Sequence, residues 1–353
     1  VVRNPDDRVG QQSAVSGEVL NQSRLFVEDV DGDFLVCRLR IDESDGRFLD
    51  LRHDLEKRGH VFRSGSDTET IVHAYEEFGD KFLQHLDGMF ALALWDQRRG
   101  CLILARDRSG KKPLFYAFDG VRCTFGSEIK AILVCPWVER SVAAENIPAF
   151  LAHGYPPSPH TLYKGIFNLP PGSFILVDGN GLKEPQRYWD LTFPVDLERR
   201  GLSLEEAGGQ IRELLTKAVA RRLVSDAPLG ALLSGGLDST IVVGLMSQLM
   251  KEPVRTFTIG FTDNASYDER PYATMVAKHF KTLHTEFAVT ADAVSLIELL
   301  LWHHDQPYAD SSAIPTYLAA KLAREHVTVA LNGDGGDEVF AGYYRFLAAL
   351  MSE

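Results

Sequence analysis

Seven consecutive residues, Ser234-Gly235-Gly236-Leu237-Asp238-Ser239-Thr240, constrain the fold of this 353-residue chain more than any other stretch. They follow an apolar run, Pro228-Leu229-Gly230-Ala231-Leu232-Leu233, which has the length of a buried strand, and they lead into helix-like Ile241-Val242-Val243-Gly244-Leu245-Met246. A strand that turns through two glycines into a helix presents the unpaired N–H groups of that helix at the turn, a ready site for phosphate oxygens. Gly235 and Gly236 let the backbone come close to a ligand, Ser234, Ser239 and Thr240 supply hydroxyl donors, and Asp238 is suited to hold Mg2+. A carboxylate beside phosphate makes sense only through a cation. The same residues also suit a plain strand-to-helix turn in which serines cap the helix, so the motif depends on its context. Ser109-Gly110-Lys111-Lys112 lacks the earlier glycine and the final Ser or Thr of a Walker A loop, and reads as a basic turn.

A second stretch, Asn332-Gly333-Asp334-Gly335-Gly336-Asp337-Glu338, follows strand-like Val327 to Leu331 and is predicted to emerge at the same sheet edge as the first loop. Alone it would read as a solvated turn of Asp and Gly. Opposite the first loop, its three carboxylates call for a compensating cation, a Mg2+ shared between Asp238 and Asp337. Tyr267-Asp268-Glu269-Arg270 suits a surface charge cluster as well as a substrate contact. In His303-His304-Asp305 adjacent side chains on one helix point in different directions, so helix-end solvation is a better reading than metal ligation.

The two halves of the chain follow different patterns. Up to about residue 193, short apolar or alternating runs are separated by turn residues, as in Phe90-Ala91-Leu92-Ala93-Leu94-Trp95 and Cys101-Leu102-Ile103-Leu104-Ala105, joined through Gly100. Helical periodicity appears at Thr68 to Phe78 and Phe82 to Leu86, so this half reads as strand-rich with a few helices. From Ser203 the rhythm changes: a capping box, Ser203-Leu204-Glu205-Glu206, opens a helix to about Leu223. Strand-like runs at Val254 to Phe261, His284 to Val289 and Val327 to Leu331 then alternate with helix-like runs at Tyr272 to Phe280, Ala291 to His303 and Ile314 to Glu325. That alternation predicts a doubly wound parallel sheet. Residues 185–202, with Pro194 and many charges, read as a linker.

A net charge of -12 argues against general affinity for nucleic acid or anionic membrane. Cys37, Cys101, Cys123 and Cys135 have neither zinc-site nor disulfide-framework spacing, which fits a reducing cytoplasm. No apolar run has the length of a membrane span.

With the two loops in view, the chain resembles the asparagine synthetase B family, glutamine-dependent enzymes built from a class II amidotransferase domain and an ATP pyrophosphatase domain. Further matching stretches are Gly65-Ser66-Asp67-Thr68-Glu69, Leu86-Asp87-Gly88-Met89-Phe90-Ala91, Ala105-Arg106-Asp107, Lys112-Pro113-Leu114, Ser127-Glu128-Ile129-Lys130, Leu169-Pro170-Pro171-Gly172 and Arg187-Tyr188-Trp189. The resemblance implies an α/β and α+β protein of two domains. Residues 1–193 would form an antiparallel αββα sandwich of the N-terminal-nucleophile type, and residues 203–353 a doubly wound parallel sheet of the ATP pyrophosphatase type. It implies ATP-dependent conversion of aspartate to asparagine through an aspartyl-adenylate, with glutamine or free ammonia as nitrogen donor and ATP and Mg2+ required. Ser234, Gly235, Gly236, Asp238, Ser239, Thr240 and Gly333 would bind ATP and pyrophosphate, Asp238 and Asp337 the metal, and Arg24 and Asp67 glutamine. Asp334 would accept a proton from ammonia. The implied partners are small molecules, with homodimerisation left open.

Three departures modify this expectation. Asparagine-specific members most often carry Ser and Glu where this chain has Asn332 and Asp334, so an amide ligase acting on another carboxylate, such as a sugar acid or a β-lactam precursor, is an alternative. Family members expose a cysteine as their first mature residue, where its thiolate attacks glutamine; this chain begins with Val1, and Arg38-Leu39-Arg40-Ile41 stands where an Asn-Gly-Glu stretch is expected. The chain therefore reads as incomplete at both ends, its glutaminase half inactive as written, and a catalytically silent scaffold is a third reading. The polypeptide as written is expected to release no glutamate from glutamine in a coupled glutamate dehydrogenase assay, and robust release would overturn this expectation.

Overall fold

The computed structural model describes residues 26–30, 34–41, 47–192, 201–225, 227–261, 268–289 and 293–352. The chain divides into two compact units, Val1–Pro194 with Leu301–Ala309, and Val195–Leu300 with Asp310–Glu353.

In the first unit the elements run β1 (Phe26–Val30), β2 (Phe34–Ile41), α1 (Arg47–Lys57), α2 (Asp67–Phe78), α3 (Phe82–His85), β3 (Phe90–Asp96), β4 (Cys101–Arg106), β5 (Phe115–Phe118), β6 (Cys123–Gly126), α4 (Ile129–Ile132), α5 (Ile147–His153), β7 (Ile166–Asn168), β8 (Ser173–Asp178), β9 (Gly181–Leu182) and β10 (Gln186–Arg187). An antiparallel sheet has the order β1-β2-β3-β4-β8-β10, with β9 paired to β8, and a second has the order β6-β5-β7. The period-2 pattern of β3 explains how the layers stack. Phe90, Leu92 and Leu94 face Ile71, Val72, Tyr75, Phe82 and Leu83 of the helical layer. Ala91 and Ala93 point the other way, into a core with Leu104, Leu114, Tyr116, Leu169 and Ile175. Small residues on one face and large ones on the other let the second sheet pack close. On its far side, Ile129 and Ile132 of α4 cover Ala117 and Ile166. The layers are thus helix, sheet, sheet, helix, as the predicted αββα sandwich requires.

A buried arginine fastens the loops at one end of this sandwich. Arg106 donates from Nε to the Lys112 carbonyl at 2.8 Å, from Nη1 to Asn168 Oδ1 at 2.8 Å and the Leu169 carbonyl at 2.7 Å, and from Nη2 to the Gly110 carbonyl at 2.7 Å. Its neighbour Asp107 accepts from the backbone N–H of Ser109, Lys111 and Lys112. The basic turn at 109–112 is therefore held from both sides by the Arg106-Asp107 pair. Gly172 adopts φ +62, and a Cβ there would lie 2.5 Å from the Trp189 carbonyl oxygen, so only glycine fits.

The second unit runs α6 (Leu204–Arg222), β11 (Leu229–Leu232), α7 (Leu237–Leu249), β12 (Arg255–Phe261), α8 (Arg270–Phe280), β13 (Leu283–Val289), α9 (Ala293–His304), α10 (Ala313–Ala323), β14 (Val329–Leu331), α11 (Gly336–Phe340) and α12 (Tyr344–Met351). The capping box read at Ser203 is present: Ser203 Oγ accepts from Glu206 N, and Glu206 reaches back to Ser203 N. The four strands are all parallel, in the order β13-β12-β11-β14. Ala231 and Leu233 pack with Val219, Val243, Met246, Ala273 and Val276 on one face. Phe257 packs with Leu232, Ala323 and Val327 on the other. With helices against both faces, the sheet is doubly wound. No helix among the described residues is long and apolar enough to cross a membrane.

Replacing Arg106 with leucine strips four acceptors, one buried and three partly buried, of their donors and is expected to destabilise the chain by about 3 kcal/mol in urea unfolding. A loss below about 1 kcal/mol would mean that those loops hold without it.

Candidate active site

The strand order reverses between β11 and β14. The chain steps outward from β11 through β12 to β13 and then returns to place β14 on the opposite side of β11. In such a sheet the loops leaving two neighbouring strands diverge to opposite faces and open a crevice at their carboxyl ends. The loop at 233–236 leaves β11 there, and the loop at 332–335 leaves β14.

The first loop is braced from behind. Gly235 has φ +85, and a Cβ on it would lie 2.6 Å from Tyr272 Cβ and 2.7 Å from Ala273 N in the first turn of α8. Leu233 N donates to the Phe257 carbonyl at 2.9 Å, and Thr258 Oγ1 donates to the Leu233 carbonyl. Within the loop, Ser234 Oγ accepts from Gly236 N at 3.2 Å and lies 3.0 Å from Ser239 Oγ. Gly236 is the N-cap of α7, and the N–H of Thr240 is the first to find its helical acceptor, the Gly236 carbonyl, at 3.0 Å. The preceding N–H groups of Leu237, Asp238 and Ser239 belong to the first turn, where a helix leaves donors available to an anion.

The second loop lies directly on this turn. A Cβ on Gly333 would sit 2.7 Å from Ser239 N and 2.9 Å from Asp238 Cβ, and one on Gly336 would strike the Asp238 carboxyl group. Ser234, Gly235, Gly236, Asp238, Ser239, Thr240, Gly333, Asp334 and Asp337 are thereby gathered at one sheet edge. Burial, then Asp337 and then Glu338, push the Asp238 carboxyl above its ordinary range. Among the described residues neither Asp238 nor Asp337 has an ion pair with Lys or Arg. Two half-buried carboxylates facing each other beside free helix N–H groups fit a Mg2+ that takes its remaining ligands from phosphate and water. Glu338 is engaged differently, accepting from Tyr343 Oη at 2.6 Å, which pushes that phenol up to about 12.

The two departures from the asparagine-specific pattern touch each other. Asn332 Nδ2 donates to Asp334 Oδ2 at 2.6 Å, and Asp334 N donates back to Asn332 Oδ1 at 3.3 Å. The exposed Asp334 carboxylate is thus held at one oxygen and open at the other. In the acidic cluster near α8, Asp268 and Arg270 satisfy each other in a two-pronged pair with both contacts at 2.8 Å. Glu269 between them is exposed at the surface, yet partial desolvation raises its carboxyl above the ordinary range. Tyr267 lies outside the described residues. Sequence reading missed Tyr272 and Ala273, because nothing local marks a helix turn as the backstop of a loop about 37 residues away.

In the first unit Asp67 is the first residue of α2, capped by Ser66, and its side chain is buried beside Thr68 Oγ1. Arg24 lies outside the described residues. Asp305 departs from helix-end solvation. Its carboxylate is buried and accepts from Ile129 N at 2.7 Å, Lys130 N at 3.3 Å and Lys130 Nζ at 2.8 Å, capping α4.

Comparison with known proteins agrees with this architecture. Residues 47–189 match the glutamine amidotransferase domain family and residues 210–353 the asparagine synthase family. The glutamine-hydrolyzing asparagine synthetase 3 of Bacillus subtilis is 33% identical over 375 residues, covering 98% of this chain and 59% of that protein. The glutamine-hydrolyzing asparagine synthetase 1 of the same organism is 31% identical over 298 residues, covering 84% and 46%. Amidase chyE of Penicillium rubens is 31% identical over 311 residues, covering 83% and 45%. The chain spans about half the length of these curated relatives. A glutamine amidotransferase domain followed by an asparagine synthase domain defines the two-domain class of protein to which these residues correspond. The chain belongs to the asparagine synthetase B family.

Because the Asp238 carboxyl is raised in the folded chain, its ionisation opposes folding: stability is highest below the ordinary Asp range and falls as pH rises through the folded pKa. At neutral pH without Mg2+, Asp238→Asn is expected to raise the melting midpoint, by roughly 1 °C once solvent screening is allowed for. The same change is expected to remove most of the Mg2+-dependent rise. A variant that responds to Mg2+ as the wild type does in scanning fluorimetry would remove Asp238 from the metal site.

Proposed function

We propose that this chain belongs to an enzyme that amidates a carboxylate at the expense of ATP, converting aspartate to asparagine through an aspartyl-adenylate, with glutamine or ammonia as nitrogen donor. The observation that carries this reading is the approach of the second loop onto the first turn of α7, which Gly333 and Gly336 alone permit. In this reading Ser234, Gly235, Gly236, Ser239, Thr240 and Gly333 bind the phosphates through backbone N–H and hydroxyl groups. Asp238 and Asp337 hold Mg2+, which when bound neutralises charge developing on the departing pyrophosphate. A carboxylate is a poor acceptor for ammonia, and adenylation supplies the leaving group that it lacks. The open oxygen of Asp334 then takes the proton that ammonia loses on attack, while Asn332 fixes the other oxygen. Arg24 and Asp67 bind glutamine in the first domain, which is taken as residues 1–193, with the second as residues 203–353.

A second acceptor is favoured by one observation. Asp334 is a methylene shorter than the Glu of asparagine-specific members and is tied down by an Asn, so the base stands further back and leaves room for a larger carboxylate. The similarity to an amidase accords with that.

Isotope exchange between ATP and pyrophosphate, run with aspartate and a panel of sugar-acid and peptide carboxylates, identifies the acceptor. Asp334→Asn is expected to lower amide formation by about 10²- to 10⁴-fold while leaving exchange within a few-fold of wild type. Equal loss of both would place Asp334 in adenylation instead of proton transfer. Exchange with none of the carboxylates would sink the ligase reading.

A further inference from the structure

Away from both loops, one group of histidine and carboxylate side chains among the described residues has its ligand atoms all within 4.8 Å of one another: His60, His73 and Glu76. His73 and Glu76 stand three apart on α2 and so share a helix face, and His60 reaches them from the connection between α1 and α2. The Nδ1 atoms of the two rings are 3.2 Å apart. Glu76 Oε2 lies 2.7 Å from His73 Nδ1 and 3.7 Å from His60 Nδ1.

The outer nitrogens of both rings face carboxylates. His60 Nε2 is 3.2 Å from Glu77 Oε2, and His73 Nε2 is 3.8 Å from Glu69 Oε1. Those carboxylates are themselves fixed. Glu69 accepts from Arg63 N, Ser64 N and Ser64 Oγ at 2.6, 2.7 and 2.6 Å, and Glu77 accepts from Arg58 Nη1 at 3.1 Å. The edge of Phe62 packs on the His73 ring at 4.6 Å. A neutral imidazole that turns one N–H toward a carboxylate leaves the other nitrogen as a lone pair. Both Nδ1 atoms and Glu76 Oε2 then converge as three acceptors, and such a group is stable only around a positive species.

Bonds of about 2.0–2.1 Å from a tetrahedral Zn2+ to its ligands separate those ligands by roughly 3.3–3.4 Å. The three separations here lie on either side of that value. Two imidazoles with one carboxylate suit a first-row divalent metal over Mg2+ or Ca2+, and a carboxylate hydrogen-bonded to the outer nitrogen, as Glu77 is to His60, is the arrangement that orients metal-ligating histidines, while the buried His73 Nε2 has Glu69 nearby but outside hydrogen-bond distance. We propose that His60, His73 and Glu76 form a binding site for a divalent cation of the zinc type, with solvent as fourth ligand, with Glu77 orienting the His60 ring and with Phe62 packed on the His73 ring. His73 forms the buried wall of the site, and the partly exposed His60 and Glu76 give the ion its entry. A cation held there clips the connection that ends at Ser66 onto α2, the helix whose first residue is Asp67.

The test uses the full chain, stripped with a chelator and titrated with Co2+ as the spectroscopic stand-in and Zn2+ as competitor. One Co2+ per chain is expected to give the intense visible absorption of a four-coordinate site, displaced by Zn2+ and unmoved by excess Mg2+. His60→Gln and Glu76→Gln, at partly exposed positions, are each expected to weaken Co2+ binding at least tenfold, whereas Asp238→Asn leaves the spectrum unchanged. Zn2+ is also expected to raise the melting midpoint of the wild type and not that of His60→Gln. Absence of the four-coordinate spectrum in the wild type, or unchanged affinity in both variants, would overturn the proposal and leave a proton shared between His73 and Glu76 in its place.

Discussion

Everything at the sheet edge depends on one steric condition: the backbone of the loop after β14 must lie on the first turn of α7. Gly333 and Gly336 meet it by presenting no side chain toward Asp238 and Ser239. The strand order supplies the neighbouring β11 and β14, but the order alone would leave two loops side by side. The missing Cβ atoms turn that adjacency into a single pocket floor, where the N–H groups of a helix and facing carboxylates share one space. Burial first, and then repulsion from Asp337 and Glu338, raises the Asp238 carboxyl as a consequence of that close approach, and a divalent cation would offset both.

The first unit reaches its rigidity by a different route. Its central strands β3 and β4 are buried on both faces, and the alternation of β3 sorts Phe90, Leu92 and Leu94 toward the helices and Ala91 and Ala93 toward the second sheet, where Leu102 and Leu104 of β4 fill the space the alanines leave. The loops at the sandwich end have no such core to rest on. They hang instead on the guanidinium of Arg106 and the carboxylate of Asp107, which between them satisfy backbone groups from Ser109 to Lys112 and at Leu169. A stretch that matches the family over three residues, Ala105-Arg106-Asp107, therefore has a mechanical explanation independent of any ligand.

Much of the second unit was legible because its signals are local. A capping box names its own helix, and short apolar runs between amphipathic ones announce a parallel sheet. The convergence of the two glycine loops could be expected because both follow strands of one sheet. What stayed out of reach was long-range: α4 is a single turn with no periodic stretch to mark it, and the bracing of Gly235 by Tyr272 and Ala273 depends on where α8 starts. Asn332 and Asp334 were visible as departures from a pattern, but their mutual hydrogen bonds, which make the two substitutions one change, required coordinates. His60 and His73 carried no motif at all, since one sits in a connection and the other looks like an ordinary buried residue of an amphipathic helix.

The capping of α4 by Asp305 bears on how the polypeptide matures. Lys130 and Asp305 are 175 residues apart, yet the first unit includes residues 301–309. At a synthesis rate of about 5–20 residues per second, roughly 9–35 s separate the emergence of the two partners from the ribosome. During that interval Ile129 and Lys130 offer their N–H groups to water, and the nascent N-terminal sandwich waits with one helix end unfinished. Its completion is thus timed by translation of a distant segment, although most of the unit is made first.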